Sequence, residues 1–148
     1  MGDVKVYFCG SICGGRNDVP VYQKVVKKLR TYGTVLTEHV SSSELTDKGE
    51  DAVVAGARAI HDRDVEWLQE SDVIVAEVTQ PSLGVGYELG RAVAMKKRIL
   101  CLFRPSSGRC LSAMIRGAED GQMFVVRDYV EDDLDNILEE FFKSLKRT

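Results

Sequence analysis

The chain has 148 residues and a formal net charge of −3, and 44% of its residues are hydrophobic and 29% charged. This length and composition predict one globular domain, residues 1–148, with a substantial buried core. The slight acidic excess excludes a basic surface for duplex nucleic acid or an anionic membrane, and no apolar run is long enough to cross a bilayer.

The first part of the chain predicts a strand, a helix and a second strand. VKVYFCG (4–10) is an apolar strand that enters a glycine-rich turn. Residues 18–33 have apolar side chains at helical spacing, with Asp18 as a candidate N-cap and Gly33 placed to end the helix. TVLTEH (34–39) is a short second strand.

The middle of the chain repeats this alternation. Residues 50–70 have the spacing of a helix, and DVIVAEV (72–78) is a strongly apolar third strand. QPSLGVGYELGRA (80–92) supplies a loop and a helix that continues to about Met95. RILCLF (98–103) is the fourth strand.

The last part of the chain predicts a short helix over 108–117, a fifth strand over 123–126 and a final helix with an apolar stripe from Leu134 to Leu145. Strands that are apolar on both faces and alternate with helices indicate a parallel sheet covered on both sides. We therefore predict a single doubly wound, three-layer α/β domain with a five-stranded parallel sheet, of the flavodoxin or Rossmann type. Such folds bind ligands beyond the carboxyl ends of their strands.

The cysteines and histidines favour a reducing compartment and no metal. The four cysteines include no CxxC pair, and Cys9 and Cys101 fall in apolar strands, so we expect reduced thiols. No segment resembles a signal peptide, so we expect a cytosolic protein that is small enough to enter the nucleus. His39 and His61 are far apart and lack ligand-like spacing, so we expect no metal.

One acidic residue interrupts the apolar stripe of the 50–70 helix. Asp64 falls between Ile60 and Trp67, where the spacing requires an apolar side chain. A buried carboxylate without a partner is costly, so Asp64 is either paired with an arginine such as Arg58 or Arg63 or placed for chemistry. The spacing alone leaves both interpretations open.

A second acid, Glu88, stands on the predicted helix face of Val85, Leu89 and Ala92. It follows Gly84 closely, near backbone N–H groups that would keep it ionised, although a solvated glutamate at a helix start is the alternative. An ionised Glu88 could act as nucleophile while Asp64, in a more apolar setting, keeps a proton and acts as acid. Two carboxyls with different pKa values are typical of such pairs.

Glycine-rich loops follow the first and third strands. CGSICGGR and QPSLGVG offer backbone N–H groups and the hydroxyls of Ser11 and Ser82, which can hold a phosphate without net positive charge. Neither loop has the spacing of a dinucleotide fingerprint or a P-loop. The spacing also disfavours a phosphatase loop of the C-x5-R type, because six residues and not five separate Cys9 from Arg16.

Several segments together resemble the nucleoside 2-deoxyribosyltransferase superfamily: VYFCGSI, LTEHV, IHDRDVEWLQESDVIVAEVTQPSLGVGYELGRA, ILCLFRP and LSAMIRG. The D-x-x-x-L-x-x-[SA]-D-[VI] segment that leads into GVGYELG is specific to this superfamily. SAMIRG is similar to its branch of 2'-deoxynucleoside 5'-phosphate N-hydrolases. The resemblance implies cleavage of 2'-deoxynucleoside 5'-monophosphates to a free base and 2-deoxyribose 5-phosphate, without metal or cofactor.

The resemblance also implies site residues. Glu88 matches a nucleophile that attacks C1' to form a glycosyl-enzyme intermediate, Asp64 matches the acid that protonates the departing base, and Tyr7 matches a tyrosine that positions the nucleophile. The residues that match phosphate or pocket contacts are Gly10, Ser11, Ile12, Cys13, Tyr22, His39, Ser82, Gly84, Ser112, Ala113 and Met114. The equivalent of Ser112 comes from the neighbouring subunit, which implies a homodimer with shared sites.

Other interpretations stay open beside this resemblance. His39 has a second interpretation as a surface histidine at a strand end, and Met114 as a core methionine. Cys13 stands where the resembled branch has an arginine, so we expect an effect on base preference, with Arg16 as a candidate replacement.

Three functions also remain in competition. The hydrolase has modified pyrimidine nucleotides such as 5-hydroxymethyl-dUMP as candidate substrates. A deoxyribosyltransferase would instead pass the sugar to another base, and a sensor would bind nucleotide without turnover. The serines suit a phosphate better than a 5'-hydroxyl, which favours the hydrolase.

Overall fold

The computed structural model describes residues 4–11, 18–37 and 56–146. Within these ranges the strands are β1 Val4–Gly10, β2 Gly33–Leu36, β3 Val73–Glu77, β4 Arg98–Phe103 and β5 Phe124–Asp128. The α-helices are α1 Val19–Leu29, α2 Ala57–Glu70, α3 Leu83–Ala94, α4 Ala113–Arg116 and α5 Leu134–Leu145. Short 3-10 turns lie at Pro105–Ser107 and Glu131–Asp133.

The strands form one parallel sheet with the order β2-β1-β3-β4-β5. From β1 the chain crosses to β2 on one side, and from β3 it crosses to β4 on the other. The strand order therefore changes direction between β1 and β3, which is where doubly wound folds bind ligands. The predicted fold class is confirmed.

The sheet separates two apolar clusters because successive side chains of a strand point to opposite faces. Val6 and Phe8 of β1 pack with α1 and α5, in a cluster that includes Leu29 and Leu138. Tyr7 and Cys9 face the other way and pack with α2 and α3, in the cluster of Leu68, Val85, Leu89 and Ala92. The Tyr7 side chain therefore lies on the face of the sheet that α2 and α3 cover.

The boundaries of α1 and β2 differ from the prediction. The Asp18 side chain makes no capping hydrogen bond and instead accepts one from Arg104. The expectation that Gly33 ends the helix is wrong, because α1 ends at Leu29 and Gly33 begins β2. A Cβ atom at Gly33 would lie 2.0 Å from the carbonyl oxygen of Val4, so the close approach of β1 requires glycine there.

The remaining elements follow the predicted order with shifted ends. The helix predicted over 108–117 is a single turn, α4, which begins after the cap residue Ser112. The final helix, with its apolar stripe, is confirmed as α5. In the described ranges, no helix is both long enough and apolar enough to span a membrane.

Candidate active site

Tyr7, Asp64 and Glu88 come together from three elements on one face of the sheet. The hydroxyl of Tyr7, on β1, donates a hydrogen bond to Oε2 of Glu88, on α3. The negative charge of Asp64, on α2, acts on both residues. The three residues that the sequence singled out for catalysis are therefore neighbours. We name this group the carboxyl cluster.

The ionisation of Glu88 differs from the expectation. Burial raises the pKa of Glu88 to about 7, while the hydrogen bond from Tyr7 and the charge of Arg63 oppose the rise. Glu88 is the sixth residue of α3, so it lies beyond the first turn, where unpaired N–H groups would favour the anion. The prediction that the helix start keeps Glu88 ionised is therefore wrong.

Tyr7 is held in its protonated form. Burial, together with the charges of Glu88 and Asp64, raises the pKa of Tyr7 far above its usual range. The protonated Tyr7 hydroxyl can therefore donate a hydrogen bond to the ionised Glu88 carboxylate.

Asp64 is buried, with 9% of its surface exposed, and it has a cationic partner. Arg63 Nε donates to Asp64 Oδ1 over 3.0 Å, so the ion pair that the sequence left open is present. The Arg63 guanidinium carbon lies 4.7 Å from the ring centroid of Trp67, whose ring lies 6.2 Å from that of Tyr7. Trp67 was predicted only as part of the apolar stripe, and its spacing of three residues from Asp64 is the signal that places it beside the cluster.

The end of β1 is closely packed against α1. A Cβ atom at Gly10 would lie 2.9 Å from Cζ of Tyr22, so the absence of a side chain lets the buried tyrosine ring lie against the strand end. Ser11, the next residue, is also buried. Three pocket candidates, Ile12, Cys13 and His39, lie outside the described residues, as does Arg16.

The serines at 82 and 112 cap two helices that face each other across a groove. Ser82 Oγ accepts from the Val85 N–H at the start of α3, and Ser112 Oγ accepts from the Met114 N–H at the start of α4, both over 3.2 Å. The groove between them has a volume of about 520 Å³. Its lining residues include Gln80, Ser82, Leu83, Gly86, Leu111, Ser112 and Met114.

Tyr7, Asp64 and Glu88 are not among the residues that line this groove. The structure thus brings the predicted site residues together in two groups. Met114 is 82% exposed, so its alternative interpretation as a core methionine is wrong. Gly84 and Ala113 are exposed near the starts of α3 and α4.

A buried ionic network at the carboxyl edge of the sheet was not predicted. Glu77 is fully buried at the end of β3 and accepts hydrogen bonds from the Thr79 N–H at 2.7 Å, the Tyr129 hydroxyl at 2.5 Å and Arg104 Nε at 3.2 Å. Arg104 also pairs with Asp18. An acid inside the apolar run DVIVAEV is the signal that could have revealed this network.

The chain is similar to a family of known proteins. The model of the nucleoside 2-deoxyribosyltransferase family matches residues 6–128. A Danio rerio protein named 5-hydroxymethyl-dUMP N-hydrolase is 69% identical over 144 residues, which cover 97% of this chain and 99% of that protein. The Homo sapiens protein of the same name is 62% identical over 143 residues, which cover 97% of this chain and 82% of that protein.

Two solved structures share the fold at low sequence identity. A CMP N-glycosidase of Clostridium botulinum has a TM-score of 0.62 and 17% identity, and the match covers 91% of this chain and 98% of that one. A 2-deoxyribosyltransferase of Bacillus psychrosaccharolyticus has a TM-score of 0.64 and 15% identity, with coverage of 90% and 91%. These likenesses bear on the fold alone.

Proposed function

The chain belongs to the nucleoside 2-deoxyribosyltransferase family, and on that premise we propose that it hydrolyses the N-glycosidic bond of 2'-deoxynucleoside 5'-monophosphates. The products are a free base and 2-deoxyribose 5-phosphate. The observation that carries this proposal is the hydrogen bond between Tyr7 and Glu88, with Asp64 beside it. The names of the Danio rerio and human relatives support 5-hydroxymethyl-dUMP as the substrate.

The carboxyl cluster supports a double displacement at C1'. The ionised Glu88 carboxylate forms a bond to C1' as the bond from C1' to the base nitrogen breaks, and Asp64 gives a proton to the departing base. Water then attacks C1' and releases the Glu88 carboxylate, and the proton that the water loses passes to Asp64, which regains its acid form. A 2-deoxy sugar lacks the electron-withdrawing 2'-hydroxyl, so the positive charge that develops near C1' is less costly. The Tyr7 hydroxyl donates a hydrogen bond to the attacking carboxylate and fixes its orientation.

The phosphate group of the substrate is assigned to donors at the ends of β1 and β3. Ser11 follows β1, and Ser82 begins α3, where backbone N–H groups favour an anion. Because the net charge of the chain is −3, local donors and not the overall field must hold the phosphate. An anchored phosphate would supply binding energy at a distance from the reacting carbon.

We further propose that two copies of the chain form a dimer across the groove between α3 and α4. Leu83 and Met114 line this groove and are 96% and 82% exposed, which is unusual for large apolar side chains in a monomer. Ser112 lines the same groove, whereas Tyr7, Asp64 and Glu88 of its own chain do not. A second copy would cover the apolar side chains and bring its Ser112 to the neighbouring site.

Chromatography of the reaction products tests the hydrolase proposal. The protein is incubated separately with 5-hydroxymethyl-dUMP, dGMP, GMP and deoxyguanosine, and we expect free base from the two deoxynucleotides only. Glu88→Ala should abolish the release, whereas Glu66→Ala, at an exposed acid of α2, should not. Binding without base release would favour a sensor, and a new nucleotide formed in the presence of a second base would favour a transferase.

Complementation tests the shared site. Glu88→Ala and Ser112→Ala are each expected to lose most activity. If each site combines Glu88 of one copy with Ser112 of the other, a mixed dimer of the two variants contains one intact site. Co-expression should then restore roughly a quarter of the wild-type activity, because half of the dimers are mixed and each has one good site of two. No recovery in a co-purified mixed dimer would contradict the shared site.

A further inference from the structure

Arg63 is a cation at the rim of the carboxyl cluster. Its Nε atom donates to Asp64 Oδ1 over 3.0 Å, and its side chain is 40% exposed, whereas that of Asp64 is 12% exposed. Its positive charge also acts on Glu88. The sequence suggested Arg63 only as one of two structural partners for Asp64, and the proposed double displacement does not use it.

The contact between Arg63 and Asp64 is not an ordinary pair on a helix surface. Adjacent residues of a helix point in different directions and do not normally face each other. Here the guanidinium lies over the ring of Trp67, four residues further along α2, with its central carbon 4.7 Å from the ring centroid. The cation–π interaction with the indole ring stabilises the guanidinium in this position and restricts its rotation. In this position Nε of Arg63 is directed towards Asp64.

The Trp67 ring that holds Arg63 lies next to the carboxyl cluster. The Trp67 ring lies 6.2 Å from the ring of Tyr7, whose hydroxyl bonds Glu88. The titratable and charged groups that act on Glu88 are Tyr7 from β1 and Asp64 and Arg63 from α2. Within the described residues, Arg63 is the cation of this set. Contacts from Arg63 to Trp67 and from Trp67 to Tyr7 therefore link the two carboxyls.

We propose that Arg63 is a positioning residue of this site: held over the ring of Trp67, it fixes the orientation of the Asp64 carboxyl group and places a positive charge at the rim of the carboxyl cluster. The proposal rests on the hydrolase function proposed above. It assigns Arg63 no contact with the substrate. Its effect reaches the reaction through the two carboxyls, so it should appear in the pH dependence of turnover as well as in the rate.

The pH profile of kcat/KM for 5-hydroxymethyl-dUMP tests the proposal. Glu88 attacks only when ionised, so kcat/KM of the wild type should rise with pH through a limb near 7, where the pKa of Glu88 lies. In R63Q the lost cation disfavours the anion, so this pKa rises and the limb moves to higher pH. A rise of one pKa unit would lower kcat/KM about tenfold on the acidic side of the limb.

The matched control is R58Q, which removes the same charge from an exposed arginine on the same helix. We expect the limb of R58Q to coincide with that of the wild type. An R63Q profile that superimposes on the R58Q profile would overturn the proposal for Arg63. If the wild type itself releases no base, the proposed hydrolase function fails instead, so the two failures are distinct.

If R63Q does not fold, a second variant, R63K, can test the proposal. R63K retains the charge but loses the planar fork that fixes Asp64. We expect its limb to stay at the wild-type pH while kcat falls. Wild-type kcat together with the wild-type limb in R63K would show that the guanidinium does not position Asp64, and would overturn the proposal.

Discussion

At the scale of single residues, the proposed role of Glu88 requires the ionised carboxylate, whereas burial of its side chain favours the protonated form. Its pKa in the folded protein is about 7, against an ordinary value of 4.5, and burial is the main cause. Between these two values the folded protein binds more protons than the unfolded chain. The free energy of unfolding therefore falls as the pH rises through this interval.

Replacing Glu88 by glutamine should remove this pH-dependent loss of stability. Glutamine has nearly the same shape and can still accept the hydrogen bond from Tyr7, but it carries no charge. Urea unfolding should show E88Q and wild type alike at about pH 5, and E88Q more stable by about 1–3 kcal/mol at about pH 8.5. The control is E66Q, at an exposed acid of α2, which should match the wild type at both pH values. Equal stability of E88Q and wild type at the higher pH would contradict the assignment of a buried charge.

The positions of Asp64 and Glu88 could be predicted from sequence, but the raised pKa of Glu88 could not. The sequence shows that an acid lies on the apolar face of a helix, because this spacing involves only residues within two turns. The pKa of Glu88 depends on Tyr7, which is 81 residues away, and on burial beneath neighbouring elements. The prediction used only the local helix start and therefore gave Glu88 the wrong ionisation.

At the scale of elements, the start of β2 depends on glycine for its distance from β1. Gly33 pairs with Val4 in the parallel register, and a side chain there would bring its Cβ atom to 2.0 Å from the Val4 carbonyl oxygen. The contacting atom belongs to the backbone, so a side chain can be accommodated only if one strand moves.

Gly33→Ala should therefore weaken the pairing of β1 with β2. We expect a loss of about 2–4 kcal/mol in the free energy of unfolding, measured with urea. The matched control is Gly90→Ala on the exposed face of α3, where an added Cβ meets no atom within 4 Å. That change should stabilise the protein by about 0.5–1 kcal/mol, since alanine favours a helix over glycine. A G33A variant as stable as wild type would show that the strands yield at little cost.

The sequence predicted elements best where a long periodic pattern defines them. The stripe of α5 recurs over three turns, and the helix begins and ends as expected. Gly33 was predicted to end the helix, because a glycine that ends a helix and one that allows strands to approach look the same in a sequence. The partner strand, 29 positions earlier, makes the difference.

At the scale of the whole molecule, a buried ion network joins the carboxyl ends of three strands. Glu77 ends β3, Arg104 follows β4 and Tyr129 follows β5, while Asp18 links the network to the start of α1. The parallel sheet could be predicted, because its strands are apolar on both faces. The network could not, because its four members come from separate parts of the sequence.

Breaking this network should destabilise the entire domain. R104M leaves the fully buried Glu77 without its cation, so we expect urea unfolding to show a loss of about 3–5 kcal/mol. The double variant E77Q/R104M removes both charges and should recover part of that loss. R127M, which breaks an exposed pair with Glu140, should cost less than about 1 kcal/mol. Equal losses in R104M and R127M would show that burial of the pair is unimportant.

Among the residues that the structure describes, the sheet separates two apolar clusters, and the one under α2 and α3 contains Tyr7 of the carboxyl cluster. Substitutions among the side chains of α1 and α5 change how tightly the chain folds, but they reach Glu88 only through the sheet. Apart from the pocket candidate Tyr22, selection on these side chains therefore acts through folding, whereas changes under α2 and α3 are tested for turnover as well. The thermal stability of this protein can therefore change in evolution through substitutions on the sheet face under α1 and α5, while the catalytic residues on the opposite face stay the same.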